Sequence, residues 1–153
     1  MGFRVVYYSD TTLPASQVAA AIHLNLLPLY QVPEKRQLIR SLAGLKISDN
    51  GVPLWLGRDE SGNEVFALHF GRAWSLGLQT VGYILSVHHN PLEWKFFKVS
   101  LKLKFPFRVW FFILKHLKLA KLEQECTGGE IQKQYWEIAT IVRKTKELSK
   151  PDG

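Results

Sequence analysis

Apolar positions along the chain change period several times, and each change marks an element. Phe3-Arg-Val-Val-Tyr-Tyr8 is a short β-branched and aromatic run of strand type. Ser9-Asp-Thr-Thr-Leu-Pro-Ala-Ser16 interrupts it with small hydroxyl and carboxylate residues, and residues 17–27 continue in helix formers. Pro28 and Pro33 punctuate a connector, after which residues 34–42 read as a short helix ended by Gly44. Two apolar runs, 52–56 and 64–70, flank the polar tip Gly57-Arg-Asp-Glu-Ser-Gly-Asn63 and predict a β-hairpin. Residues 73–87 repeat apolar positions at helical spacing, with Gly77 and Gly82 placed as if to allow close packing on a sheet.

From Phe97 the period switches to two. Phe97, Val99, Leu101, Leu103, Phe105 and Phe107 fall on one face and Lys98, Ser100, Lys102 and Lys104 on the other, which predicts a strand over 97–105 that Pro106 ends. Residues 108–119 return to a helical period. Residues 121–126 fit either a strand or a helix end, Thr127-Gly-Gly129 breaks the pattern, and 130–148 form a final amphipathic helix.

Strands alternating with helices predict one three-layer α/β domain over 1–148, Rossmann-like, with a mostly parallel sheet and one β-hairpin, followed by a frayed tail at 149–153. In such sheets ligands bind beyond the carboxyl ends of the strands. That rule selects the loops after 3–8, 97–105 and 121–126.

The 153 residues suffice for one buried core, and 46% hydrophobic with 22% charged residues argues against disorder. The single Cys126 excludes an internal disulfide and suits a reducing cytoplasm; no secretory pattern opens the chain, and no apolar run approaches a membrane span. The net charge of +7 is concentrated between Trp94 and Lys121, which hold eight cations and no acid. Aromatics interleaved with cations there fit a nucleic-acid, acidic-protein or membrane-surface contact, and equally an amphipathic strand with a solvated lysine face.

Tyr7-Tyr8, Val18-Ala-Ala-Ala-Ile-His-Leu-Asn-Leu-Leu-Pro28, Gly57-Arg-Asp-Glu-Ser-Gly-Asn-Glu-Val65 and Gly129-Glu-Ile-Gln-Lys-Gln-Tyr135 together resemble the bacterial family known as domain of unknown function 3189. The resemblance runs over most of the chain and implies no established activity. In that family the loop after the first strand is richer in glycine and often carries Cys and His beside Ser. Here it reads Ser9-Asp-Thr-Thr-Leu-Pro-Ala-Ser16, which removes both the flexibility and the soft side chains.

Strand, hydroxyl-rich turn and helix form the unit with which α/β proteins present backbone N–H groups and a helix N-terminus to an anion. Ser9, Asp10, Thr11, Thr12 and Ser16 are therefore candidate ligands for a phosphorylated or other anionic small molecule, with Arg108 as charge partner and Thr127, Gly128 and Gly129 as a second wall. Helix capping explains the same hydroxyls. Asp10 would repel phosphate unless it pointed away or held a metal. The loop lacks the glycines and the Gly-Lys-Ser/Thr of a Walker A motif. Cys126 lacks an assignable base, and His23, His69, His88, His89 and His116 lack metal-ligand spacing, with His88-His89 reading as a helix C-terminal cap. Asp59, Glu60 and Glu64 fit a polar hairpin tip. No catalytic residue, cofactor or oligomeric state is indicated.

Overall fold

A computed structural model describes residues 2–11, 13–45, 51–70, 74–88 and 93–150. Strand β1 (Arg4–Ser9) leads into helix α1 (Ala15–His23) and then α2 (Lys35–Gly44). The hairpin β2 (Leu54–Arg58) and β3 (Glu64–His69) follows, then α3 (Trp74–His88) and β4 (Trp94–Lys98). Helices α4 (Phe105–His116), α5 (Ala120–Lys133) and α6 (Tyr135–Leu148) complete the chain.

The sheet order is β2-β3-β1-β4, with β1 parallel to both β3 and β4 and β2 antiparallel to β3. β1 is thus interior, as its uninterrupted burial from Val5 to Ser9 requires: a strand covered on both faces must be apolar on both. Val5, Tyr7, Val65, Ala67 and Val99 on one face pack with Val18 and Ile22 of α1 and Ile138 and Val142 of α6. On the other face Val6, Tyr8, Leu68 and Phe70 pack with Leu78 and Val81 of α3. These two cores separate three layers. Gly77 lets α3 approach, since a Cβ there would run into the Phe70 ring; none of the described residues crowds Gly82.

Several boundaries differ from expectation: α1 is Ala15–His23, β2 is Leu54–Arg58 and α4 is Phe105–His116, and three further differences have a clear physical reason. The strand predicted over 97–105 pairs only over Trp94–Lys98, because its partner β1 ends at Ser9; the last bond runs from the Val99 N–H to the Tyr8 carbonyl (2.8 Å). The alternation nevertheless governs burial farther on: Val99 and Leu101 are buried, Leu103 packs on the same core, and Ser100, Lys102 and Lys104 are exposed. In place of a strand, the Gln134 side-chain amide accepts from the Lys102 N–H (2.8 Å) and donates to the Lys102 carbonyl (3.2 Å).

The second difference is Thr127-Gly-Gly129, which lies inside α5 and breaks nothing. Residues 121–126 are accordingly helical. The physical reason is packing: a Cβ on Gly128 would sit 2.6 Å from Ile39 Cγ1, so glycine sets the close approach of α5 to α2 and offsets its weak helix propensity. The third is the last helix, interrupted at Gln134 into α5 and α6. At the tail, Ser149 is buried and its carbonyl accepts from Asn63 Nδ2 at 3.3 Å.

Candidate functional site at the carboxyl ends of the strands

The carboxyl ends of β1 and β3 lie beside a cavity of about 410 Å³. Leu13, Pro14 and Gln17 at the start of α1 form one wall, and Ile39, Leu42, Ala43 and Leu45 at the end of α2 form another. Phe111 of α4 and Ala120, Glu123, Gln124 and Thr127 of α5 supply the third, and His69, the last residue of β3, also lines it. Most of this lining is apolar. The first turn of α1 faces it with no acidic residue and no side-chain cap, so the positive end of the helix dipole is uncompensated there.

Gln17 is the most informative polar group. It is 3% exposed, its Oε1 accepts from the Ser16 hydroxyl at 3.0 Å, and its amide nitrogen has no protein partner among the described residues. The buried side-chain groups that lack a partner among the described residues are Trp94 Nε1 and Ser149 Oγ; Gln17 Nε2 is not sealed in the same way, and Gln17 lines the cavity, where its amide is open to an acceptor. His69 stands nearby with its imidazole pKa lowered, first by burial and then by the Lys115 charge, against the opposing pull of the Ser9 carbonyl and the Asp10 carboxylate. It is neutral at physiological pH.

The loop residues singled out by sequence are mostly committed to one another. Ser9 is fully buried and its hydroxyl bonds Thr11 Oγ1 (3.1 Å) and accepts the Thr11 N–H (3.3 Å). Thr11 Oγ1 in turn donates to the Leu13 carbonyl. Asp10 is held by Lys98 Nζ at 3.2 Å, and Ser16 is buried against Gln17. Thr12 and His89 lie outside the described residues. Thr127 does face the cavity, but from the interior of α5, so Thr127, Gly128 and Gly129 offer no free helix N-terminal N–H groups. Arg108 is exposed near the start of α4 and is not part of the cavity wall, which α4 reaches with Phe111 instead. Cys126 sits in mid-helix, half-buried. Among the described residues no three His, Cys, Asp or Glu converge on a common point.

At the opposite end of the sheet lies a second polar cluster. Tyr7 Oη and His23 Nδ1 are 2.7 Å apart, and His23 Nε2 is 2.9 Å from Asp59 Oδ2. Asp59 also accepts from the Ser61 and Asn63 N–H groups and from Asn63 Nδ2. Burial lowers the His23 pKa despite its carboxylate neighbour, so the ring is neutral: Nε2–H donates to Asp59 and Nδ1 accepts from the Tyr7 hydroxyl. Burial alone would raise the Asp59 pKa, but the bonds from His23 and Asn63 outweigh it and hold the carboxyl below its ordinary range. Burial pushes the Tyr7 hydroxyl far up. With Tyr7 and His23 fully enclosed, this chain ties β1, α1 and the hairpin tip together and offers no surface to a substrate.

Fold and cavity define a small open-sheet α/β domain with a half-open, mostly apolar cavity at the carboxyl ends of its central strands. The chain belongs to the family described as protein of unknown function (DUF3189), whose model matches residues 4–147. No curated protein and no solved structure matches it.

Proposed function

We propose that the protein binds a small organic anion in the cavity at the carboxyl ends of β1 and β3. The observation that carries this reading is Gln17, which lines the cavity beside the uncapped start of α1 and whose amide nitrogen has no protein partner among the described residues. A carboxylate or phosphate oxygen is the acceptor that suits both the amide and the helix dipole. Leu13, Leu42 and Phe111 would hold an apolar body, with His69 and Thr127 as further hydrogen-bonding groups. Glu123 disfavours a second negative charge at the far wall, so the ligand carries its charge at one end. The reading assigns binding and no reaction. The lone Cys126 supports a cytoplasmic setting.

A thermal-shift screen of phosphorylated and carboxylated small molecules at millimolar concentration tests it. A ligand at about a hundred times its Kd should stabilise the fold by about 2.7 kcal/mol. Gln17→Leu should weaken that ligand, and Ala43→Trp, filling the cavity from an exposed position, should abolish the shift. If no carboxylate, phosphate ester or nucleotide moves the wild-type midpoint, the proposal fails.

A further inference from the structure

Helix α4 buries only Phe111 and Leu114, although its sequence is apolar nearly all round. Phe105, Val109, Phe112 and Ile113 recur at spacings of four, seven and eight and form one outward face, with Phe105 76% and Phe112 61% exposed. Trp110 and Leu117 extend it on one side. Along the other side run Arg108 and Lys115, seven residues apart. Lys102, Lys104, Arg108, Lys115, Lys118 and Lys121 are all exposed, and none forms an ion pair among the described residues. A helix with an aromatic and aliphatic face bordered by uncompensated cations has the composition of one that lies in the plane of a membrane interface. No helix of the described residues is long and apolar enough to cross a membrane.

We propose that α4 docks this domain on an anionic lipid surface, with Phe105, Trp110 and Phe112 entering the headgroup layer and the flanking lysines and Arg108 over lipid phosphates. Charge complementarity selects this occupant. A second copy of the chain would bring two unpaired basic flanks together, and single-stranded nucleic acid would leave Val109, Ile113 and Leu117 uncovered, since bases stack on rings. The surface is separate from the cavity, whose walls include neither Trp110 nor Phe112.

Flotation with vesicles of phosphatidylglycerol in phosphatidylcholine, against phosphatidylcholine alone, provides the test. The full chain should float only with the anionic vesicles, and salt should weaken the binding. The double variant Trp110→Ser/Phe112→Ser should lose affinity on the order of tenfold or more. Lys115→Gln/Lys118→Gln/Lys121→Gln should lose affinity and show a flatter salt dependence. All the substituted residues are exposed, and circular dichroism verifies that the variants stay folded. No binding to phosphatidylglycerol vesicles, or binding that the aromatic variant leaves intact, overturns the proposal. So does sedimentation showing a dimer that Phe112→Ser dissociates, or single-stranded RNA bound more tightly than the vesicles.

Discussion

Replacing Asp59 with alanine should destabilise this protein more than any other single change at the hairpin tip. Its carboxylate accepts four hydrogen bonds, from His23 Nε2, Asn63 Nδ2 and the N–H groups of Ser61 and Asn63. Water can replace the one from exposed Ser61. His23 is fully buried, so its Nε2–H is orphaned at about 1–3 kcal/mol. The Asn63 backbone N–H, also buried, adds about 1 kcal/mol, and loss of the charged acceptor that organises the turn adds about another. The sum is about 3–5 kcal/mol. For a chain of 153 residues, at about 2–4 °C for each kcal/mol, the midpoint should fall by roughly 10 °C. Urea titration followed by circular dichroism measures the loss directly. Asp59→Asn should cost less: its carbonyl still accepts the two backbone donors and the His23 tautomer can reverse so that Nε2 accepts from the new amide, while Asn63 Nδ2 loses its acceptor there and keeps the Ser149 carbonyl. A loss below about 1 kcal/mol for Asp59→Ala would show that His23 finds another partner and refute the reasoning.

Acid should weaken the fold in two stages. His23 and His69 are both depressed by burial, so the unfolded chain takes up protons that the folded one refuses; their contribution is complete above about pH 6.5 and falls as the pH drops toward each folded value. The depressed Asp59 keeps its contribution until the pH drops below the ordinary carboxylate range. Midpoints recorded from about pH 8 to about pH 5 that stay constant would contradict the histidine stage. Gly128→Val should cost about 1–3 kcal/mol by pushing Ile39 of α2 away from α5, whereas Gly82→Ala, with none of the described residues crowding it, should gain up to about 1 kcal/mol; urea denaturation of the pair checks the opposite signs.

Where local periodicity and tertiary demand agree, the chain is readable. β1, the hairpin, α3 and the body of α4 all follow from patterns within a dozen residues, whereas Pro106, expected to end a strand, instead lies in the first turn of α4. Burial alternation held through Leu103, but pairing did not, because hydrogen bonds need a neighbour and β1 is too short to supply one. Thr127-Gly-Gly129 looks like a turn because glycine is weak in isolated helices; its use emerges only when Ile39 is placed against it. His69 went unselected because residues 64–70 read as one arm of a hairpin, and nothing local reveals that β3 also pairs in parallel with β1, which puts its end at the carboxyl edge of the parallel strands. Gln17 looks like any helix former, and only the cavity it lines marks it out.

Gln134 carries a consequence beyond its two bonds to Lys102. It occupies the interruption between α5 and α6, while Lys102 belongs to the extended segment from which α4 departs. One side chain thus ties the start of α4 and the junction of α5 and α6 to the same backbone segment beyond β4. Phe111 of α4 and Thr127 of α5 both belong to one wall of the cavity. The position of that wall is therefore fixed in part by a residue outside the cavity lining, and a change at Gln134 would alter the shape of the cavity without altering the chemistry of its walls.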